Sequence, residues 1–152
     1  MKKKLSYILL ALVIIFIGIQ FIPVKKTNPP VESEINAPTN VVNVLQRSCY
    51  DCHSNRTVWP WYSHVAPMSW LVASDVNEGR EHLNFTAWNK YDTKRRSKKM
   101  QEIAEEVEKG DMPLWYYLPM HPEAKLSKAD AQLLVSWAKT HEGDTLGTSA
   151  SN

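Results

Sequence analysis

The sequence predicts an all-α domain. Two observations carry this: apolar residues recur at helical spacing in several separate segments, and no stretch alternates with period two for long enough to argue for a strand. The 152 residues suit one domain with appendages rather than two.

The first segment is different in kind. Lys2, Lys3 and Lys4 precede an uncharged apolar run over residues 5–22, and Lys25 and Lys26 come after it. As a helix the run would measure about 27 Å, just enough for a hydrocarbon core. Bulky residues, Ile19-Gln20-Phe21-Ile22, stand where a signal-peptide cleavage site would need small ones. The reading is an uncleaved signal anchor over 1–26, a single N-terminal transmembrane helix. The excess of Lys before the run keeps the N-terminus inside and puts the rest outside the bacterial inner (cytoplasmic) membrane, on the periplasmic side.

Residues 27–38 read as a linker, with Pro29, Pro30 and Pro38 and little apolar mass. Beyond it the domain runs over 39–142. Val41, Val44, Leu45 and Ser48 share one face of a short helix that Thr39 or Asn40 can cap. A second helix is expected over 67–77, with Pro67 early and Gly79 just past its end. A third spans 93–109. Met100, Ile103, Ala104 and Val107 are its stripe, Asp92 or Thr93 its cap and Gly110 its stop. A fourth spans 128–140, with Ser127 and Asp130 as a capping box and Leu133, Leu134 and Trp137 as its buried stripe. The tail 143–152 is polar and expected to be disordered.

Charge narrows the function classes. The formal sum is +2, but no acidic residue precedes Thr27 and five lysines do, so the remaining 13 basic and 16 acidic residues leave the domain at −3. Such a surface is no phosphate-binding face, and no nucleic-acid partner is expected. No Ser/His/Asp set or carboxylate pair offers hydrolase chemistry.

Both cysteines fall in Cys49-Tyr50-Asp51-Cys52-His53, the C-x-x-C-H signature of c-type haem attachment. Residues three apart on a helical turn point the same way, so both thiols can meet the vinyl edges of one haem. His53 comes next as the proximal iron ligand. Other readings fit less well. A thioredoxin-like dithiol would want a preceding strand, a structural zinc needs two more ligands, and a Cys49–Cys52 disulfide closes a strained loop. Thioether attachment in bacteria takes place outside the cytoplasm, which the export signal independently supplies.

A sixth ligand is expected from methionine. Met100 belongs to a core stripe, and Met68 lies close behind His53 in sequence. Met112, in Gly110-Asp111-Met112-Pro113, is the favoured distal ligand, because Gly allows a tight turn and Pro stiffens the chain after the ligand. Met120 is its rival and His121 a weaker one. Trp59, Trp61, Tyr62, Trp70, Trp115, Tyr116 and Tyr117 offer rings for a haem cleft, the run 115–117 above all, although each single Trp suits core equally well. Lys94, Arg95, Arg96, Lys98 and Lys99 crowd the start of the third helix, against its dipole, and read as a solvated face rather than a docking patch.

The expected architecture is therefore a small cytochrome c-like helical domain around one haem c. Beyond the haem motif the chain resembles the bacterial haem-binding domain family, small membrane-anchored c-type cytochrome-like proteins. The resemblance runs from Thr27 to Trp137. It rests on Cys49-Tyr50-Asp51-Cys52-His53-Ser54-Asn55, Trp59-Pro60-Trp61-Tyr62-Ser63, Ala66-Pro67, Asn84-Phe85-Thr86-Ala87-Trp88, Gly110-Asp111-Met112-Pro113 and 121–127. It implies haem c, an electron-transfer role with unnamed redox partner proteins, thioethers at Cys49 and Cys52, His53 as proximal ligand and Met112 as distal ligand. Leu114 stands where the family's Met-Pro-Pro pattern has its second Pro, which leaves the loop less rigid.

Two functions compete. One is an electron carrier with a saturated iron and no enzymatic activity. The other is a five-coordinate haem acting as a peroxidase or small-ligand sensor, for which His64 or His82 with Arg56 or Arg80 are the available distal groups. A haem-carrying subunit of a larger complex is a third, blander reading.

Overall fold

The computed structural model describes residues 2–141. Six α-helices run in order: α1 Lys2–Ile19, α2 Thr39–Ser48, α3 Tyr50–His53, α4 Met68–His82, α5 Thr93–Lys109 and α6 Lys128–His141. Short 3-10 turns lie at Trp61–His64, Trp88–Lys90 and Pro122–Ala124. Among the described residues there is no strand, only one isolated bridge between Ser33 and Ala87. The all-α expectation holds; the expected tail 143–152 lies outside the described residues.

The N-terminal helix departs from expectation. α1 stops at Ile19, and its 18 residues include Lys2–Lys4. That leaves roughly 15 apolar residues, about 22 Å of helix, against a hydrocarbon core of about 30 Å. Among the described residues no helix is long and apolar enough to cross a membrane. The expected transmembrane helix is corrected to a shorter apolar one, because the chain turns at Gln20. The Gln20 side chain accepts from Ala66 N (2.9 Å), and its Nε2 donates to Ala66 O (3.2 Å) and to Phe16 O (2.9 Å).

The core gathers α2, α5 and α6 around Leu45, Phe85, Met100, Ile103, Leu134 and Trp137. Each stripe read from periodicity supplies buried residues: Val41, Val44, Leu45 and Ser48 on α2, Met100, Ile103 and Ala104 on α5, Leu134 and Trp137 on α6. Caps are as the side chains require. Asp92 Oδ1 accepts from Arg95 N at 2.8 Å, and Gly110 ends α5 at φ 76°, left-handed backbone that glycine adopts without a Cβ clash. Ser127 Oγ accepts from Asp130 N (3.1 Å) while Asp130 Oδ2 accepts from Ser127 N (3.0 Å), a reciprocal box. On α2, by contrast, Pro38 holds the cap position, and Thr39 and Asn40 already lie inside the first turn.

The segment read as a linker is held against the domain. Ile35 is buried. Glu32 N and Ser33 N donate to Thr86 O, Ile35 N to Phe85 O and Trp88 N to Ser33 O. Asn84, Thr86 and Asn55 form a buried polar network: Asn84 Nδ2 donates to Asn55 Oδ1 (2.8 Å), and Asn55 N to Thr86 Oγ1 (2.7 Å). Asn55 Nδ2 in turn donates to Pro30 O. The Asn-Phe-Thr-Ala-Trp stretch thus fastens residues 27–38 to the chain just past His53, with its buried polar groups paired.

Candidate functional site

The two-cysteine motif begins where α2 fails. Cys49 leaves helical backbone at φ −129°, and α3 restarts at Tyr50 for one turn, with His53 N donating to Cys49 O at 2.9 Å. That single turn brings Cys49, Cys52 and His53 to the wall of one cavity of about 530 Å³. This lies within the range of small-molecule and cofactor sites, about 300–1,000 Å³. The other walls are largely apolar: Leu45, Leu83, Phe85, Ile103, Val107, Leu114 and Leu134, with Tyr116 and Tyr117.

His53 is fixed from behind. Its Nδ1 lies 2.9 Å from Gly79 O and 3.1 Å from Leu83 O. Both are acceptors, so Nδ1 carries the proton and Nε2 keeps its lone pair, the arrangement second-shell partners impose on a metal-binding imidazole. Burial pushes the His53 pKa down, with the two backbone bonds opposing it, which favours the neutral ring a metal needs. Phe85 meets the ring edge-on at 6.2 Å.

Gly79 explains how α4 comes so near. A Cβ there would sit 2.7 Å from the Cys52 carbonyl oxygen. The reading of Gly79 as a helix stop is therefore corrected. It lies inside α4, which runs on to His82, because glycine alone lets α4 press against the motif. Burial pushes the Cys49 and Cys52 thiols up to about 12, so both are neutral at physiological pH. The cysteines are free, and among the described residues no three His, Cys, Asp or Glu side chains gather as a metal cage.

Of the described methionines, Met112 lines this cavity and the others do not. Met120 is 53% exposed, Met68 is exposed, and Met100 is core. His121 is engaged elsewhere: its Nε2 is 2.7 Å from Tyr62 Oη, its Nδ1 is 3.1 Å from Glu123, and its ring stacks on Tyr117 at 4.1 Å. Several bonds tie down the Met112 loop, that of Tyr116 Oη to Asp75 Oδ1 (3.3 Å) among them. Met112 N donates to Glu106 O (3.3 Å), and Tyr117 Oη donates to Asp51 Oδ2 (2.8 Å).

The aromatic run splits. Tyr116 and Tyr117 line the cavity while Trp115 is 79% exposed; Trp88 and Trp137 are core. Among the groups named for an open haem face, His82 lines the cavity, but His64 pairs with Lys26 at 2.7 Å. Arg56 pairs with Glu34 at 2.8 Å, and Arg80 donates to Ser54 O, Thr27 O, Asn28 Oδ1 and Thr57 Oγ1. The basic start of α5 is partly neutralised, since Lys98 and Lys99 both reach Glu102.

Sequence reading missed the acidic part of the wall: Asp51, Asp75, Glu78, Glu102 and Glu106 all line the cavity. Burial raises the Asp75 pKa, while its bond from Tyr116 opposes the rise. For Asp75, Glu78 and His82 the spacing on α4 was available as a signal once that helix was extended past Gly79.

A haem fits these residues. Two thiols, an imidazole with a free Nε2 and a thioether share one largely apolar cavity of cofactor size, the donor set such a group requires. The haem-binding domain family model matches residues 14–140. The chain belongs to the haem-binding domain family. No curated protein and no solved structure matches it. As a member of that family it is a haem-binding protein, and the match covers the motif, α4, the Met112 loop and α6 together.

Proposed function

We propose that this haem-binding domain carries one covalently attached haem c and serves as an electron carrier, held at the outer face of a bacterial inner membrane by α1. The observation that carries it is the double tether on His53 Nδ1, at 2.9 and 3.1 Å, which leaves Nε2 as the ligand atom beside two free thiols.

Bound haem supplies an iron that alternates between two oxidation states. The chain does the rest. Cys49 and Cys52 would hold the haem by thioethers, each thiol adding its sulfur and its hydrogen across one vinyl group with no net redox change. His53 Nε2 would be one iron ligand. The Met112 sulfur would be the other, on a loop fixed by the Glu106 carbonyl and the Tyr117–Asp51 bond. Leu45, Ile103, Val107 and Leu134 exclude water and keep local polarity low, which tunes potential.

A five-coordinate peroxidase or sensor draws less support, because Met112 lines the cavity while Arg56, Arg80 and His64 are engaged elsewhere. Anchoring by α1 rests on its composition: every residue from Leu5 to Ile17 is exposed and none after Lys4 is charged. A helix apolar all round with no protein partner belongs in lipid. The test is carbon monoxide added to the ferrous protein. A low-spin spectrum and poor binding are expected; rapid stoichiometric binding would favour the open five-coordinate iron.

A further inference from the structure

One exposed apolar patch is left over by the haem site. Trp61, Val65, Met68 and Leu71 lie within eleven residues of chain, on the Trp61–His64 turn, just past it at Val65, and on the first turn of α4, and all four side chains are solvent-exposed, Trp61 at 72%. His64 and Pro67 between them are exposed too. This patch is where α1 meets the domain. Gln20, the residue after α1 ends, makes hydrogen bonds to both the N–H and the carbonyl of Ala66, and Lys26 Nζ donates to Ser63 O at 2.8 Å. The end of the apolar helix is therefore fastened into the middle of the patch rather than joined to it by slack chain.

From this we infer that the Trp61–Leu71 face lies on the lipid surface beside α1 and fixes how the haem domain stands on the membrane. The inference rests on the anchoring role proposed for α1, and adds to it a second, separate lipid contact. Three features select a lipid surface as the occupant. The patch is continuous with a helix whose own exposed apolar residues require lipid. Trp is the residue most suited to the headgroup boundary, with an apolar body and a polar N–H. A basic group edges the patch, Lys26 alongside His64 and bonded to Ser63 O, with Lys25 next to it in sequence, so anionic headgroups are drawn to this side.

The consequence concerns the cavity. α4 starts in the patch at Met68 and lines the haem cavity with Asp75, Glu78, Gly79 and His82. Asp75 is seven residues on, about 10 Å of helix. The haem site is thus held a short, fixed distance from the lipid, within reach of membrane-embedded redox partners.

The test uses the full-length haem-loaded protein in vesicles of phosphatidylethanolamine and phosphatidylglycerol that contain a diazirine lipid. After illumination, adducts are mapped by peptide mass spectrometry. Adducts are expected in α1 and in residues 61–71, with several-fold less on α6. Trp61→Ser with Met68→Ser should cut labelling of Val65 and Leu71 several-fold, leaving α1 labelling and the haem spectrum unchanged. Labelling of α1 with residues 61–71 no higher than α6 overturns this inference and leaves the anchor standing, as does cross-linking of the patch to a protein in native membranes without lipid adducts. Absence of labelling in α1 overturns the anchor and the inference with it.

Discussion

Tyr117 Oη lies 2.8 Å from Asp51 Oδ2, so the loop that carries Met112 is bonded to a residue inside the two-cysteine motif. Asp51 also accepts from Val58 N at 2.9 Å, and burial together with that carboxylate raises the Tyr117 pKa. The two walls of the haem cavity are joined at this point by one phenol.

Tyr117→Phe removes that bond and keeps the ring. A half-buried hydrogen bond to a charged group is worth about 1–2 kcal/mol. Denaturant titration should show a loss of that order, and the ferrous protein should bind carbon monoxide faster than the parent. Unchanged stability and unchanged carbon monoxide kinetics would mean the loop is held by other contacts.

Two glycines should behave oppositely. Gly79→Ala puts a Cβ 2.7 Å from the Cys52 carbonyl, a backbone atom that cannot swing aside. Overpacking of this kind costs about 1–3 kcal/mol, and the displaced motif should also lower haem occupancy per chain. At Gly110 there is open space but φ is 76°, so Gly110→Ala should cost about 1 kcal/mol and leave occupancy intact. The ratio of haem absorbance to protein, read beside the unfolding midpoint, separates the two.

Met112→Ala should convert the low-spin iron to one that takes up exogenous ligands, while Met120→Ala, at an exposed position outside the cavity, should leave the spectrum unaltered. Ligand titrations of both variants decide it, and the reverse pattern moves the distal ligand to Met120.

Asp130 gives a pH dependence with a definite sign. Bonds from the Ser127 side chain and backbone hold its carboxyl below the ordinary 3.8, burial slightly opposes this, and Arg47 at 2.9 Å helps. A carboxyl lower in the folded than in the unfolded state stabilises fully above the unfolded value and less as pH falls through the folded one. Stability should therefore drop below about pH 4. Asp130→Asn keeps an acceptor for Ser127 N–H but loses the charge at the start of α6, so it should lower stability at neutral pH by about 0.3–1 kcal/mol and flatten that acid limb. An acid limb identical in parent and variant would remove Asp130 as its source.

Much of this was legible beforehand, for local reasons. The bounds of α5, its Asp92 cap, its Gly110 stop and the Ser127–Asp130 box come from side chains acting within four residues of themselves. The two-cysteine motif is equally local. What escaped depends on distant partners. Gly79 punctuates a helix by propensity, yet it lies within α4 because Cys52 presses on it from 27 residues back. Residues 27–38 lack apolar mass, yet their backbone is bound by Phe85, Thr86 and Trp88. The carbonyls of Gly79 and Leu83 that set the His53 tautomer carry no signal at all, since every residue has one. The N-terminal helix was misjudged in length because Gln20, polar but uncharged, breaks it by bonding Ala66.

Covalent attachment at Cys49 and Cys52 is tested most directly by weighing the intact, denatured protein from a host able to attach haem c. The expected mass exceeds the polypeptide by one haem, and it returns to the bare chain in the Cys49→Ala, Cys52→Ala double variant. A parent mass equal to the bare polypeptide, with both thiols free, would contradict it.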